Sequence, residues 1–134
     1  MRCYLAAGFS RKNEIAEKSQ ELENLGIKVV STWPWEIAAP DSTMADVGPD
    51  YLRLNARKDL QEIILSDALI LFTQDPLIPF CRGGRMHEAG FAQALGKTIM
   101  VCGPRENIFH WLPEIHQFDT WEQLKATLTK AILV

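Results

Sequence analysis

Apolar and β-branched residues fall into short runs of strand length: RCYLAA near residues 2–7, IKVVST at 27–32, ALILFT at 68–73 and TIMVCG at 98–103. HQFDT, 116–120, gives a shorter edge strand. The stretches between them carry a different period. KNEIAEKSQELENLG sets Ile15, Leu22 and Leu25 on one helical face and ends on Gly26, where a helix closes without a Cβ penalty. YLRLNARKDLQEIILSD predicts a second helix with Leu54, Leu60, Ile63 and Ile64 inward. GGRMHEAGFAQALGK predicts a third, and WEQLKATLTKAILV a closing one. Residues 33–50 hold three prolines and no period, which reads as a long surface loop.

Strands that alternate with helices predict an α/β fold: a flavodoxin-like or Rossmann-like three-layer sandwich around a mostly parallel five-stranded sheet, as one domain over 1–134. Such sheets bind ligands beyond the carboxyl ends of their strands. That rule singles out four loops: GFSR (8–11), TWPWE (32–36), TQDPLIPFCRGGR (73–85) and GPRENIFHW (103–111).

Composition narrows the chemistry. A net charge of −3 leaves no basic footprint for nucleic acid. No apolar run approaches the ~20 residues of a membrane span. MRCYLAAGF meets charges too soon for a signal peptide, so a cytoplasmic location is expected. Cys3, Cys81 and Cys102 lack CxxC spacing, and with only His87, His110 and His116 beside them no metal site and no cofactor are expected.

Glu88 is the residue that stands out. It lies in the early turns of the third helix beside Ala89, Gly90 and Ala92, small neighbours that leave room for a ligand. The helix N-terminus would keep its carboxylate ionised, and an ionised carboxylate in a cleft can store a glycosyl group. A solvated first-turn glutamate is the plainer alternative. Gly83 and Gly84 make a tight turn or an anion-binding one, and Arg85 is either a surface charge or a phosphate ligand. Asp67, between helix and buried strand, is a cap or a catalyst; Asp75, in TQDP, is a turn former or a ligand contact. Phe9, Trp33 and Trp35 suit packing, yet a tryptophan in a Pro-rich loop also suits stacking on a nucleobase. A thiol nucleophile at Cys81 lacks a partner histidine.

Taken together, YLAAGFS (4–10), RKDLQEIILSDALILF (57–72), MHEAGFAQALGKTIMV (86–101) and GPRENIFHWLP resemble the nucleoside 2-deoxyribosyltransferase family, which includes deoxynucleotide N-hydrolases. The resemblance covers most of the chain. It implies that Glu88 is the nucleophile, Tyr4 positions it, Asp67 is the pocket aspartate and Phe9 an aromatic wall. It also implies that Asn107 serves a neighbouring subunit's site, hence a homodimer or larger homo-oligomer. Ser10, Asp75, Arg85 and Trp33 complete the expected substrate contacts. The family's second acidic residue shortly before the glutamate is missing: 76–87 hold no Asp or Glu.

The chemistry implied is cleavage of the N-glycosidic bond of a 2′-deoxynucleoside and transfer of the sugar to a free nucleobase. The small-molecule nucleoside or nucleotide and the base are the expected partners. Hydrolysis of a deoxynucleoside 5′-monophosphate is an alternative that phosphate binding by Ser10, Arg11, Arg82 or Arg85 would favour. A non-catalytic nucleotide sensor on the same scaffold is another.

Overall fold

A computed structural model describes residues 1–36, 48–73 and 83–133. In chain order they form β1 (Arg2–Ala6), α1 (Lys12–Asn24), β2 (Lys28–Val29), α2 (Pro49–Leu65), β3 (Ala68–Phe72), α3 (Gly84–Ala94), β4 (Thr98–Cys102), β5 (His116–Phe118) and α4 (Trp121–Leu133). Short 3-10 turns occupy Phe9–Arg11, Trp33–Trp35 and Ile108–Trp111. The strands make one sheet in the order β2-β1-β3-β4-β5 with every pairing parallel. This is the expected doubly wound sheet, and its order reverses between β1 and β3.

β3 is buried at every position, as a continuous apolar run in a sheet covered on both faces should be. It fixes its neighbours in register, with Tyr4 opposite Leu69 and Leu71 opposite Val101. β2 is shorter than its apolar run predicts. The reason is local: the Ser31 hydroxyl accepts from the Leu5 amide at 3.1 Å, so a side chain takes the next position where a backbone carbonyl would stand. Gly103, just past β4, has φ 118°, and a Cβ there would lie 2.2 Å from Thr73 Oγ1. Only glycine lets the ends of β3 and β4 run this close.

Helices α2 and α3 pack on each other and on β1. On the other face, Trp121 of α4 packs on Phe72, and Trp121 and Lys125 both bond Glu21 of α1. The inward face of α2 differs from the one expected. Ile63 is buried and Leu60 packs against the core, but Leu54 is 65 % exposed and Ile64 45 %. Beside Ile63, the face that turns in carries Asp59, Glu62 and Ser66, polar positions that a purely hydrophobic reading sends outward. Among the described residues no helix is long and apolar enough to cross a membrane.

Candidate active site

Tyr4 lies mid-strand in β1, next to the point where strand order reverses, and its ring is fully buried. Its side chain meets α3, where the hydroxyl donates a hydrogen bond to Glu88 Oε2. α3 begins at Gly83, whose φ of 90° is left-handed. Glu88 is thus past the first turn, where the helix dipole has largely faded. The expectation that the helix end holds this carboxylate ionised is therefore corrected. Burial raises the Glu88 carboxyl to about 8 against the pull of the Tyr4 hydroxyl, and the Asp59, Glu36 and Glu62 charges push the same way. Burial, then the Glu88 and Asp59 charges, push the Tyr4 phenol upward too, so it remains a donor.

Asp59 reaches this pair from α2. Its Oδ1 is buried with no hydrogen-bond partner among the described residues. Burial and the charge of Glu36 raise its carboxyl to about 7, Glu62 adds to the rise and Lys58 opposes it. The turn after β2 is fastened over α2 by two contacts. Glu36 pairs with Lys58, and Glu62 accepts from the Thr32 amide at 3.1 Å and its hydroxyl at 2.7 Å. One half-buried carboxyl, Glu88, thus has a phenol donor, and a second, Asp59, has an oxygen with no partner among the described residues. With folded values of about 8 for Glu88 and about 7 for Asp59, the form with Glu88 ionised and Asp59 protonated is a minor one at neutral pH. A nucleophile and a proton donor require that combination.

Several expected site residues lie elsewhere. Asp67 sits at the amino end of β3, half-exposed, where it accepts from the Arg2 amide at 2.8 Å and pairs with the Arg2 guanidinium at 3.4 Å. These hydrogen bonds, led by the amide, hold its carboxyl below the usual range. The structure therefore does not bring Asp67 to Glu88; the aspartate whose charge acts on Glu88 is Asp59, eight residues earlier. Arg85 is buried and grips Glu106 at 2.6 and 3.1 Å, which ties α3 to the loop after β4. Trp33 is 5 % exposed, donates to the Leu5 carbonyl at 2.6 Å and packs on Phe9 with centroids 6.1 Å apart. It builds the wall rather than offering a face to a base. Phe9 remains half-buried with Lys12 Nζ 5.3 Å from its ring centre, and Ser10 is exposed on the same turn.

Asn107 caps the turn at Ile108–Trp111 by accepting from the Phe109 amide at 2.9 Å, and its amide lies 3.6 Å from Met86 Sδ. Met86 and Glu88 project about 200° apart around α3, so Asn107 approaches the helix from the side away from Tyr4. Asp75, Arg82 and Cys81 lie outside the described residues. Cys3 and Cys102 are buried in β1 and β4, and burial raises both thiols, Cys3 to about 12. Among the described residues no group of three or more His, Cys, Asp or Glu is set to hold a metal ion.

Asp59, Glu36, Lys58 and Glu62 were not singled out by the sequence. The available signal was their spacing: Asp59 and Glu62 stand one helical turn before Ile63 and Ser66, on the face that had to be buried.

No family model matches the chain, and no curated protein matches it by sequence. Solved structures do. A 2-deoxyribosyltransferase of Bacillus psychrosaccharolyticus superposes with a TM-score of 0.72 at 22 % identity, with 96 % of each chain covered. A CMP N-glycosidase of Clostridium botulinum superposes with a TM-score of 0.58 at 24 % identity over 100 % of both chains. A conserved protein of Enterococcus faecalis V583 gives 0.62 at 15 % identity, with 98 % of each covered. The chain thus has, over its whole length, the fold shared by a 2-deoxyribosyltransferase and an N-glycosidase.

Proposed function

We propose that this protein cleaves the N-glycosidic bond of a 2′-deoxynucleoside and transfers the sugar to another base through a deoxyribosyl ester on Glu88. The observation that carries the reading is the Tyr4 hydroxyl donating to the part-buried Glu88 carboxyl, on which the charge of Asp59 acts, the Asp59 Oδ1 having no partner among the described residues. In the first half-reaction the Glu88 carboxylate forms a bond to C1′ as the C1′–N bond breaks. The Asp59 proton passes to the departing base nitrogen, since expelling a base anion is costly. In the second, the acceptor base attacks C1′, its N–H proton returns to Asp59, and Glu88 leaves as carboxylate. Two displacements on one carbon give retention. Without a 2′-hydroxyl the oxocarbenium-like transition state is less destabilised, which suits a site of two carboxyls and a phenol.

A second reading is hydrolysis of a 2′-deoxynucleoside 5′-monophosphate. It draws on the likeness to the Clostridium glycosidase and on the glycine pair Gly83–Gly84 where α3 starts, a setting that suits phosphate. A homo-oligomer in which Asn107 serves a neighbour's site belongs to the same proposal. Its support is the exposure of Ile108, Phe109 and Trp111 next to Asn107, at 78, 59 and 70 %.

The test is chromatography of each common deoxynucleoside and deoxynucleoside monophosphate with and without a different free base, for the wild type and Glu88→Ala. A new nucleoside that requires the acceptor base, and is lost in the variant, supports transfer. Free base released without acceptor, mainly from monophosphates, supports hydrolysis. Turnover unchanged by Glu88→Ala, or none at all, overturns both.

A further inference from the structure

We infer that the Lys58–Glu36 ion pair is a positioning device for Asp59: it pins the turn at 32–36 onto α2 and sets a charge couple beside the Asp59 carboxyl that decides when it holds its proton. The inference rests on the reading of Asp59 as proton donor. Lys58 and Asp59 are successive residues of α2, and Glu36 arrives from the turn after β2 to meet Lys58. The pair is partly sheltered, with side-chain exposures of 33 % for Lys58 and 13 % for Glu36. Charges so placed act at higher strength than on an open surface. Glu36 is also held from behind, where its backbone carbonyl accepts from Lys12 Nζ at 3.3 Å. Glu62, one turn further along α2, is committed to Thr32 through both its oxygens. Asp59 is left as the one member of this face whose Oδ1 has no partner among the described residues.

Glu36 from the turn and Lys58 and Glu62 from α2 act on Asp59, and the Asp59 charge acts in turn on Glu88 of α3 and the Tyr4 hydroxyl of β1. Glu36 favours the protonated carboxyl and Lys58 the ionised one. Two opposed charges hydrogen-bonded to each other make a setting that either partner can unbalance. A purely mechanical clamp behaves differently, because breaking it from either side loosens the same turn in the same way.

The experiment is a carboxyl carbon NMR titration of protein labelled at aspartate, with Asp59 assigned by loss of its signal in Asp59→Asn. Wild type, Glu36→Gln, Lys58→Met and the double variant are compared. Expected is a lower midpoint for Asp59 in Glu36→Gln, a higher one in Lys58→Met, each by about half a pH unit or more, and a return toward wild type in the double variant. A midpoint that stays put in both single variants, or moves the same way in both, overturns the inference. Lys58→Arg is expected to restore the wild-type midpoint. The titration needs no substrate, so it stands apart from the functional reading. If the pair shifts Asp59 as expected but no nucleoside is turned over, the glycosyl-transfer reading fails and the charge couple stands.

Discussion

The Tyr4 hydroxyl, carried on the buried strand β1, donates to the Glu88 carboxyl on α3, so the one phenol in the sheet beside the switch point is spent on the one acidic residue of that helix. A buried phenol that serves only as a donor stabilises the carboxylate form of its partner. Removing it leaves Glu88 buried without that support. Tyr4→Phe is expected to raise the Glu88 carboxyl further and to cut kcat about 10- to 100-fold, with the optimum moving to higher pH. Steady-state rates between pH 5 and 9 read this directly, and an unshifted profile with full rate contradicts it.

The elevated Glu88 carboxyl also has a stability consequence of definite sign. Its folded value of about 8 lies above the unfolded value, so between roughly pH 4.5 and 8 the folded state binds the extra proton. Its contribution is complete below that window and is lost as pH rises through it. Glu88→Gln, which keeps an acceptor for Tyr4, is therefore expected to be more stable than wild type at pH 8, by on the order of 4 kcal/mol, and to match it near pH 4. Urea melts at the two pH values measure the difference.

Asp59 and Asp67 are separated by eight residues and by the length of the site. Asp59→Asn is expected to slow turnover of ordinary deoxynucleosides about 100- to 10,000-fold. A deoxyriboside with a good leaving group that needs no proton should be spared most of this loss. Asp67→Asn removes a half-exposed contact with Arg2 at the far end of β3, and its turnover should stay within about twofold of wild type. Equal losses in the two variants would reverse the assignment.

Gly103 tests the sheet itself. With φ 118° and Thr73 Oγ1 2.2 Å from where a Cβ would stand, Gly103→Ala must move either the backbone or a buried threonine. A destabilisation of about 2–3 kcal/mol is expected. Chemical denaturation at neutral pH checks it, and a change under about 0.5 kcal/mol would mean that the strand ends separate at little cost.

The sheet was legible because ALILF and TIMVC are apolar at nearly every position, a pattern only a strand covered on both faces requires. Glu88 was legible from the small residues around it and the ordered motifs that resemble a known family, and Tyr4 followed from the same resemblance. Asp59 was not. Leu54 and Ile64 are large and apolar and drew the expected inward face of α2 toward themselves, yet both are exposed, while the buried stripe carries carboxylates. Asp67, beside the central strand, reads as the pocket aspartate from its sequence context, and only the tertiary approach of Arg2 shows what it accepts from. Arg85 likewise reads as a phosphate ligand from its glycine-rich context, and only the tertiary approach of Glu106 shows what it grips. Pairings of this kind join residues distant in sequence, and the period of a helix does not encode them.

The central claim, a covalent sugar on Glu88, is tested most directly by mass spectrometry of protein incubated with a nucleoside whose 2′ carbon bears fluorine, which slows loss of the sugar from the enzyme. Expected is a stable glycosyl adduct on the peptide that contains Glu88, absent in Glu88→Gln and released when a free base is added. An adduct on another residue, or rapid turnover of ordinary deoxynucleosides by Glu88→Gln, would contradict it.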